Sequence, residues 1–267
     1  MIDVKETLLS ILYPRRCPIC HDIVMPKGHL ICPECLKRVS FVQEPTCLRC
    51  GKEIASEEIE YCYDCSHNTR SFSQGFALTI YDPVMRESVR RFKNGGRMEY
   101  ADWYAEAIWQ QYGEELRQLE IDVVVPVPLH RSRQNQRGYN QAELLTRRLA
   151  KQLHVPVWPK ALKRTRKTTA QKYLGGRERQ RNLESVFALG RRPLGIKGVL
   201  KAGMQLRKSG RAAQEIGGAS WLEGKIILLV DDIYTTGGTA EACTRVLLDA
   251  GAEAVYLMNI CIGENDS

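Results

Sequence analysis

Two features of the chain carry chemistry in their residue types and spacing: a pair of adjacent carboxylates beside a glycine-rich turn, and four pairs of cysteines. The first is LLVDDIYTTGGT, residues 228–239, in which an apolar run ends in Asp231 and Asp232 and then breaks at Thr235, Thr236, Gly237, Gly238 and Thr239. Glycines allow a backbone to approach a ligand closely, and a helix N-terminus supplies free N–H groups and partial positive charge, so TTGGT suits a phosphate monoester. It is neither a Walker loop nor a G-x-G-x-x-G fingerprint. The two carboxylates lie too close to the loop to serve the phosphate itself. Their chemistry fits neighbouring hydroxyls or Mg²⁺. A phosphate at one end and a diol a few ångströms away describe a ribose 5-phosphate. A cap-and-turn role for the Asp pair would explain the turn but not the whole pattern.

The second feature is a ladder. CPIC (Cys17, Cys20), CPEC (Cys32, Cys35), CLRC (Cys47, Cys50) and CYDC (Cys62, Cys65) start 15 residues apart each time. Each C-x-x-C places two thiolates on one tight turn, and two such turns close the tetrahedral Cys₄ shell that structural Zn²⁺ prefers. The connections are too short to build a core, so metal must hold the module. Two Zn²⁺ sites are expected. Sequential pairing is favoured, because each connection can close its own site; an interleaved cross-brace is the alternative. A thioredoxin-like dithiol needs one such motif in a βαβ unit, and four evenly spaced copies argue against it. His21, His29 and His67 are surplus to a Cys₄ count and are expected at the surface. Cys243 and Cys261 read as small buried hydrophobes.

The elements that must position these groups follow from periodicity. Residues 76–82 alternate like a strand, and 83–94 and 99–118 read as helices broken at Asn94-Gly95-Gly96. The continuous apolar runs 121–129 and 225–232 suit strands buried on both faces. Residues 140–153 and 238–252 are helical, 155–158 is a short extended stretch, 184–189 is compatible with a strand, and 254–262 closes the chain as a strand. Strands alternating with helices imply an α/β fold, a parallel sheet with helices on both faces, behind a small Cys₄ zinc-ribbon module. The expected division is a double zinc ribbon at 1–70 and the α/β body at 71–267, the latter interrupted by a basic, glycine-rich insertion at 190–224.

Charge narrows the partners. The net charge is +8 over 267 residues, yet residues 130–222 hold 22 Lys and Arg against four acids, while 1–70 is nearly neutral. A stretch this basic suits nucleic acid or the phosphates of a small ligand, with a solvated face as the plain alternative. No apolar run approaches the ~20 residues of a spanning helix, and the N-terminus does not read as a signal peptide. A cytoplasmic location without membrane insertion is the expectation.

LLVDDIYTTGGT resembles the phosphoribosyl diphosphate (PRPP) motif of type I phosphoribosyltransferases. Together with YPRRCPIC, VPVPLHRSRQNQRGYNQAELL (125–145), LKRTRKTTAQKYLGGRERQRNLESVF (162–187) and the cysteine ladder, it is similar to the ComF family of competence-associated proteins. The resemblance implies a type I phosphoribosyltransferase-like body that binds PRPP or a nucleotide-like ligand with Mg²⁺. In its terms Asp231 and Asp232 engage the ribose or its metal, and Thr235 to Thr239 cradle the 5-phosphate. Pro128, Leu129 and His130 correspond to the pyrophosphate loop, with Arg137 near the diphosphate. The 163–182 segment corresponds to a flap whose Arg164, Arg166, Lys167, Arg177, Arg179 and Arg181 meet diphosphate or nucleic acid. It also implies DNA uptake, with cytoplasmic single-stranded DNA and a DNA-uptake helicase as partners, and leaves phosphoribosyl transfer to an unknown acceptor, or purine salvage, as the alternative. Hood material for gripping a base is expected only from residues 71–120.

Overall fold

The computed structural model describes residues 14–165, 186–191 and 221–263. Arg166, Lys167, Arg177, Arg179, Arg181 and nearly all of the 190–224 insertion lie outside the described residues. The strands are β1 (Gln74–Ile80), β2 (Val123–Pro126), β3 (Leu162–Arg164), β4 (Phe187–Leu189), β5 (Ile226–Tyr234) and β6 (Ala254–Ile262). The helices are α1 (Pro33–Leu36), α2 (Tyr63–His67), α3 (Pro83–Asn94), α4 (Tyr100–Gln118), α5 (Arg131–Arg137), α6 (Gln141–Leu153) and α7 (Gly238–Asp249).

Four strands form a parallel sheet in the order β1-β6-β5-β2, and β3 pairs with β4 in a separate antiparallel ribbon. Both edges of the sheet are covered. Val157 pairs with Val124 beside β2, and Phe41 pairs with Thr79 beside β1. The extended stretch expected at 155–158 is thus a one-bridge extension of the sheet.

Local chemistry explains the helix ends. Asp82 caps α3 by accepting from the Met85 N–H at 2.8 Å, with Pro83 in the first turn, where its missing N–H costs nothing. Asn140 caps α6 through the Ala142 N–H at 3.1 Å and also donates to the Val127 carbonyl at 3.0 Å, which ties the helix start to the end of β2.

The sheet is apolar on both faces, as a parallel sheet must be. One face sets Leu78, Val124, Leu228, Val230 and Met258 against Phe92, Tyr104, Ile108, Leu145 and Leu149 of α3, α4 and α6. The other sets Val123, Val125, Ile227, Leu229 and Leu257 against Cys243 and Leu247 of α7, with Trp158, Leu162 and Phe187. Burying one such side chain stabilises the fold by about 1.5–3 kcal/mol before chain entropy is counted. Cys243 and Cys261 are fully buried within these cores, as small apolar residues.

The two cysteine clusters join opposite sides of this arrangement. Cys17, Ile19, Val24 and Cys35 pack in the cluster that contains α3, α4 and α6, whereas Cys47, Cys50, Cys62 and Phe72 pack in the one that contains α7. The connection between them runs along β1, where the Val42 N–H donates to the Leu78 carbonyl and the Ile80 N–H to the Ser40 carbonyl.

Candidate functional site

The thiols group sequentially. Cys17, Cys20, Cys32 and Cys35 form one cluster and Cys47, Cys50, Cys62 and Cys65 the other, with the sulfur atoms of each set within 4.8 Å of one another. A tetrahedral ion with bonds of ~2.3 Å separates its sulfurs by roughly 3.8 Å. The Cys50–Cys62 sulfur distance of 3.6 Å matches that spacing. Both sets therefore fit structural Zn²⁺. His29 and His67 are exposed as expected, but His21 is not a surface residue. It is half-buried, with Nδ1 paired to the Tyr100 hydroxyl at 2.7 Å, because the first ribbon lies against α4. Burial, then Arg97 and Arg91, holds the His21 imidazole below its usual pKa.

Asp231 and the TTGGT residues lie together. Asp231, Thr235, Thr236, Gly237, Gly238 and Thr239 line one cavity of about 100 Å³, together with Ile233, Tyr234, Ala240 and Asn259. It lies at the carboxyl end of β5 and the N-terminus of α7, the place where open α/β sheets bind ligands. Gly237 is the N-cap of α7 with φ +72°, a left-handed conformation that favours glycine, and a Cβ there would collide with the Tyr234 hydroxyl. The first-turn N–H groups of α7 are those a helix leaves without intrahelical partners.

The two carboxylates part company. Asp232 is 6% exposed and already held: Lys93 Nζ lies 2.9 Å from Oδ1, and Gln141 Nε2 donates to Oδ2. Asp231 accepts from the Asp232 N–H at 2.8 Å and opens into the cavity. Burial, reinforced by the neighbouring Asp232 charge, raises the Asp231 carboxyl to about 7, against the opposing pull of Lys93 and Arg164. The pair is thus one carboxylate committed to an internal cation and one available to a ligand.

Cations surround the pair from three elements. Arg137 is partly buried at the end of α5 and donates to Gln141 Oε1 at 3.1 Å, which links it through Gln141 to Asp232. Burial lowers the Arg137 guanidinium pKa, and the Asp232 charge opposes that. Arg164, on β3, stacks on the Phe187 ring at 5.3 Å, and its charge reaches Asp231. Val127 ends the β2 side of the site, and Pro128 and Leu129 lead to His130, which caps α5 by accepting from the Ser132 N–H at 3.2 Å. Pro128, Leu129 and His130 do not line the 100 Å³ cavity. Lys93, Gln141, Tyr234 and Asn259 were not singled out by sequence. Gln141 and Tyr234 carried a signal, as residues of the quoted 125–145 block and of LLVDDIYTTGGT; Lys93 and Asn259 come from distant elements that the fold alone brings in.

Fold and site together define a protein in which two Cys₄ ribbons are packed into an α/β body with a cavity at the carboxyl end of β5. Residues 8–66 match the double zinc ribbon domain family. Over nearly its full length the chain is similar to competence protein F of Haemophilus influenzae, at 25% identity covering 92% of this chain and 96% of that protein. It is also similar to the DNA utilization protein YhgH of Escherichia coli K12, at 26% identity over 93% and 97% of the two chains. The match to competence protein ComFC of Bacillus subtilis is 24% over 84% and 80%. The chain is a homologue of these competence and DNA-utilization proteins, and the resemblance read from its sequence blocks is borne out at that level. Among the described residues, no helix is long and apolar enough to cross a membrane.

Proposed function

We propose that this protein binds PRPP or a ribose-5-phosphate-bearing nucleotide through a type I phosphoribosyltransferase-like body, and acts in DNA uptake by handling single-stranded DNA in the cytoplasm. The observation that carries the reading is the convergence of Asp231 and Thr235–Thr239 on one cavity at the carboxyl end of a parallel strand. Asp231 would hold ribose hydroxyls or a Mg²⁺ bound with PRPP. Arg137 and Arg164, beside the Asp pair, supply the positive charge a diphosphate needs, and the turn at Pro128, Leu129 and His130 would bound that subsite. The printed names of the relatives support the DNA-uptake part, and the basic 130–222 stretch supports a polyanion. A DNA-uptake helicase is the partner class this implies. The division into a zinc module (1–70) and a body (71–267) belongs to the same reading.

Titration calorimetry with Mg²⁺-PRPP and, separately, with a single-stranded oligonucleotide tests it. Replacing Asp231 and Asp232 by Asn is expected to abolish PRPP binding. Oligonucleotide affinity is expected to fall with salt at about 0.7 log units per neutralised phosphate, and reversing Arg164, Arg166 and Arg177 to flatten that slope. An unchanged slope counts against the DNA-handling part.

A second reading, phosphoribosyl transfer to an unknown acceptor, is favoured by the cations Lys93, Arg137 and Arg164 around the carboxylates. Such groups would stabilise departing pyrophosphate while a closed site excludes water. Mg²⁺-dependent pyrophosphate release that requires Asp231 and Asp232 would establish it.

A further inference from the structure

Tyr234 is the last residue of β5 and is 4% exposed, yet its buried hydroxyl has no hydrogen-bond partner among the described residues. Buried polar groups are almost always paired, so this one needs an explanation. The side chain lines the same cavity as Asp231 and Thr235–Thr239. Its hydroxyl occupies the space beside Gly237 that any Cβ would fill. A phenolic O–H beside Gly237, the N-cap of α7, is a ready donor to an anion bound at that helix start.

The surroundings of Tyr234 come from the second cysteine cluster. The Phe72 ring meets it edge-on at 6.3 Å, and both belong to the packed group that contains Cys47, Cys50 and Cys62. The segment that leaves Cys65 then grips the loop and its helix directly. Arg70 Nη2 donates to the Thr236 carbonyl at 2.9 Å, and the Ser71 N–H and hydroxyl donate to the buried Glu241 carboxylate at 2.8 and 2.6 Å. Arg49, between Cys47 and Cys50, donates to the Phe72 carbonyl at 2.7 Å. The first cluster makes its contacts elsewhere, through Arg15 with Asp102 and His21 with Tyr100.

We propose that the anion cradle is a composite of the α/β body and the second zinc ribbon: Tyr234 donates its hydroxyl to a phosphate oxygen of the bound ester, and residues 70–72 hold Tyr234 and the Thr236 carbonyl in place. Zinc at Cys47, Cys50, Cys62 and Cys65 is then required for phosphate-ester binding, whereas zinc at Cys17, Cys20, Cys32 and Cys35 is not. Arg70 is a positioning residue, acting through Thr236. The proposal rests on the reading of the TTGGT loop as a phosphate-ester site.

The test is titration of the full chain with ribose 5-phosphate and with inorganic phosphate, with zinc stoichiometry measured on each variant. Tyr234→Phe is expected to keep two zinc ions and raise the ribose 5-phosphate Kd about tenfold, the loss of one hydrogen bond to a charged acceptor. Cys65→Ser and Cys20→Ser are each expected to lose one zinc, but only Cys65→Ser to weaken binding. If Cys65→Ser does not fold, Arg70→Gln leaves all eight thiolates intact and is expected to weaken binding, with partial recovery in Arg70→Lys. Wild-type affinity in Tyr234→Phe overturns the contact. Equal weakening by Cys20→Ser and Cys65→Ser, or wild-type affinity in Arg70→Gln, overturns the role of the second ribbon. A wild-type protein that binds neither probe removes the phosphate-ester reading beneath both, a result that no variant can mimic.

Discussion

The two zinc ribbons share a cysteine spacing and differ in what they lean on. The first is docked by side chains: Arg15 pairs with Asp102 at 2.6 Å, and Asp102 also binds Arg148 of α6, while His21 meets Tyr100. The second adds close backbone docking to the side-chain contacts of Arg49, Arg70 and Ser71. Gly51 abuts Gly75 at the start of β1, and the Gly75 N–H donates to the Arg49 carbonyl at 2.8 Å. Side-chain docking tolerates loss of one partner, because the others remain. Backbone docking at two glycines has no slack. A repeat in sequence is therefore not a repeat in role, since the role is set by the neighbour each copy is packed against.

Metal removal tests this contrast at its largest scale. Zinc binding supplies about 10–16 kcal/mol to folding of small zinc modules, more than the docking contacts can replace. Chelation is expected to raise amide hydrogen exchange across residues 15–65 while β2 and β6 stay protected. Residues 235–240 are expected to lose protection with the second ribbon. If exchange at 235–240 is unchanged, the second ribbon and the loop are independent.

A smaller effect separates the ribbons residue by residue. Gly51 has φ +74°, and a Cβ there would lie 2.5 Å from the Gly75 carbonyl oxygen. Gly28, in the first ribbon, has φ +93° with nothing within 4 Å of its Cβ position among the described residues. Both substitutions by Ala incur left-handed strain of about 1–2 kcal/mol. Gly51→Ala adds a backbone collision and is expected to cost about 3 kcal/mol in chemical denaturation. Equal costs for Gly51→Ala and Gly28→Ala would show that the second ribbon is not tightly seated.

What was legible in sequence divides along the same line between local and non-local causes. The ladder predicts its own sequential closure because both turns of each site lie within one short stretch. The strand at 254–262 and the helix at 83–94 follow from apolar runs and from Asp82-Pro83, which are local signals. The convergence of Asp231 with TTGGT is also local. The sequence does not distinguish Asp231 from Asp232, because that difference is made by Lys93 on α3 and Gln141 on α6. Nor does it show that Arg70 grips Thr236, a contact between residues 166 positions apart. The histidines follow suit: His29 and His67 meet water, while His21 is half-buried because α4 passes over it.

A pH series isolates the loop from the ribbon beneath it. The Asp231 carboxyl sits at about 7 in the folded protein, against an ordinary 3.8. The folded state therefore binds more protons than the unfolded state between these values, and stability must fall as pH rises through that window. Between pH 5 and 8 the expected loss is on the order of 2 kcal/mol, absent in Asp231→Asn. Parallel denaturation curves for wild type and Asp231→Asn at both pH values would place the pH dependence elsewhere.

The smallest effect returns to the first ribbon. Tyr100 is 1% exposed, and its hydroxyl is the partner of His21 Nδ1. Tyr100→Phe keeps the ring in place and removes one neutral hydrogen bond, worth about 1 kcal/mol. Because Arg15 with Asp102 and the apolar contacts of Ile19 and Val24 persist, both zinc sites are expected to stay filled and ribose 5-phosphate affinity to stay unchanged. The measurement is a denaturation midpoint beside a zinc assay and a binding titration. A cost matching that of Gly51→Ala, or a weakened phosphate ester, would mean that the first ribbon too is seated without slack, and the contrast between side-chain and backbone docking would fail.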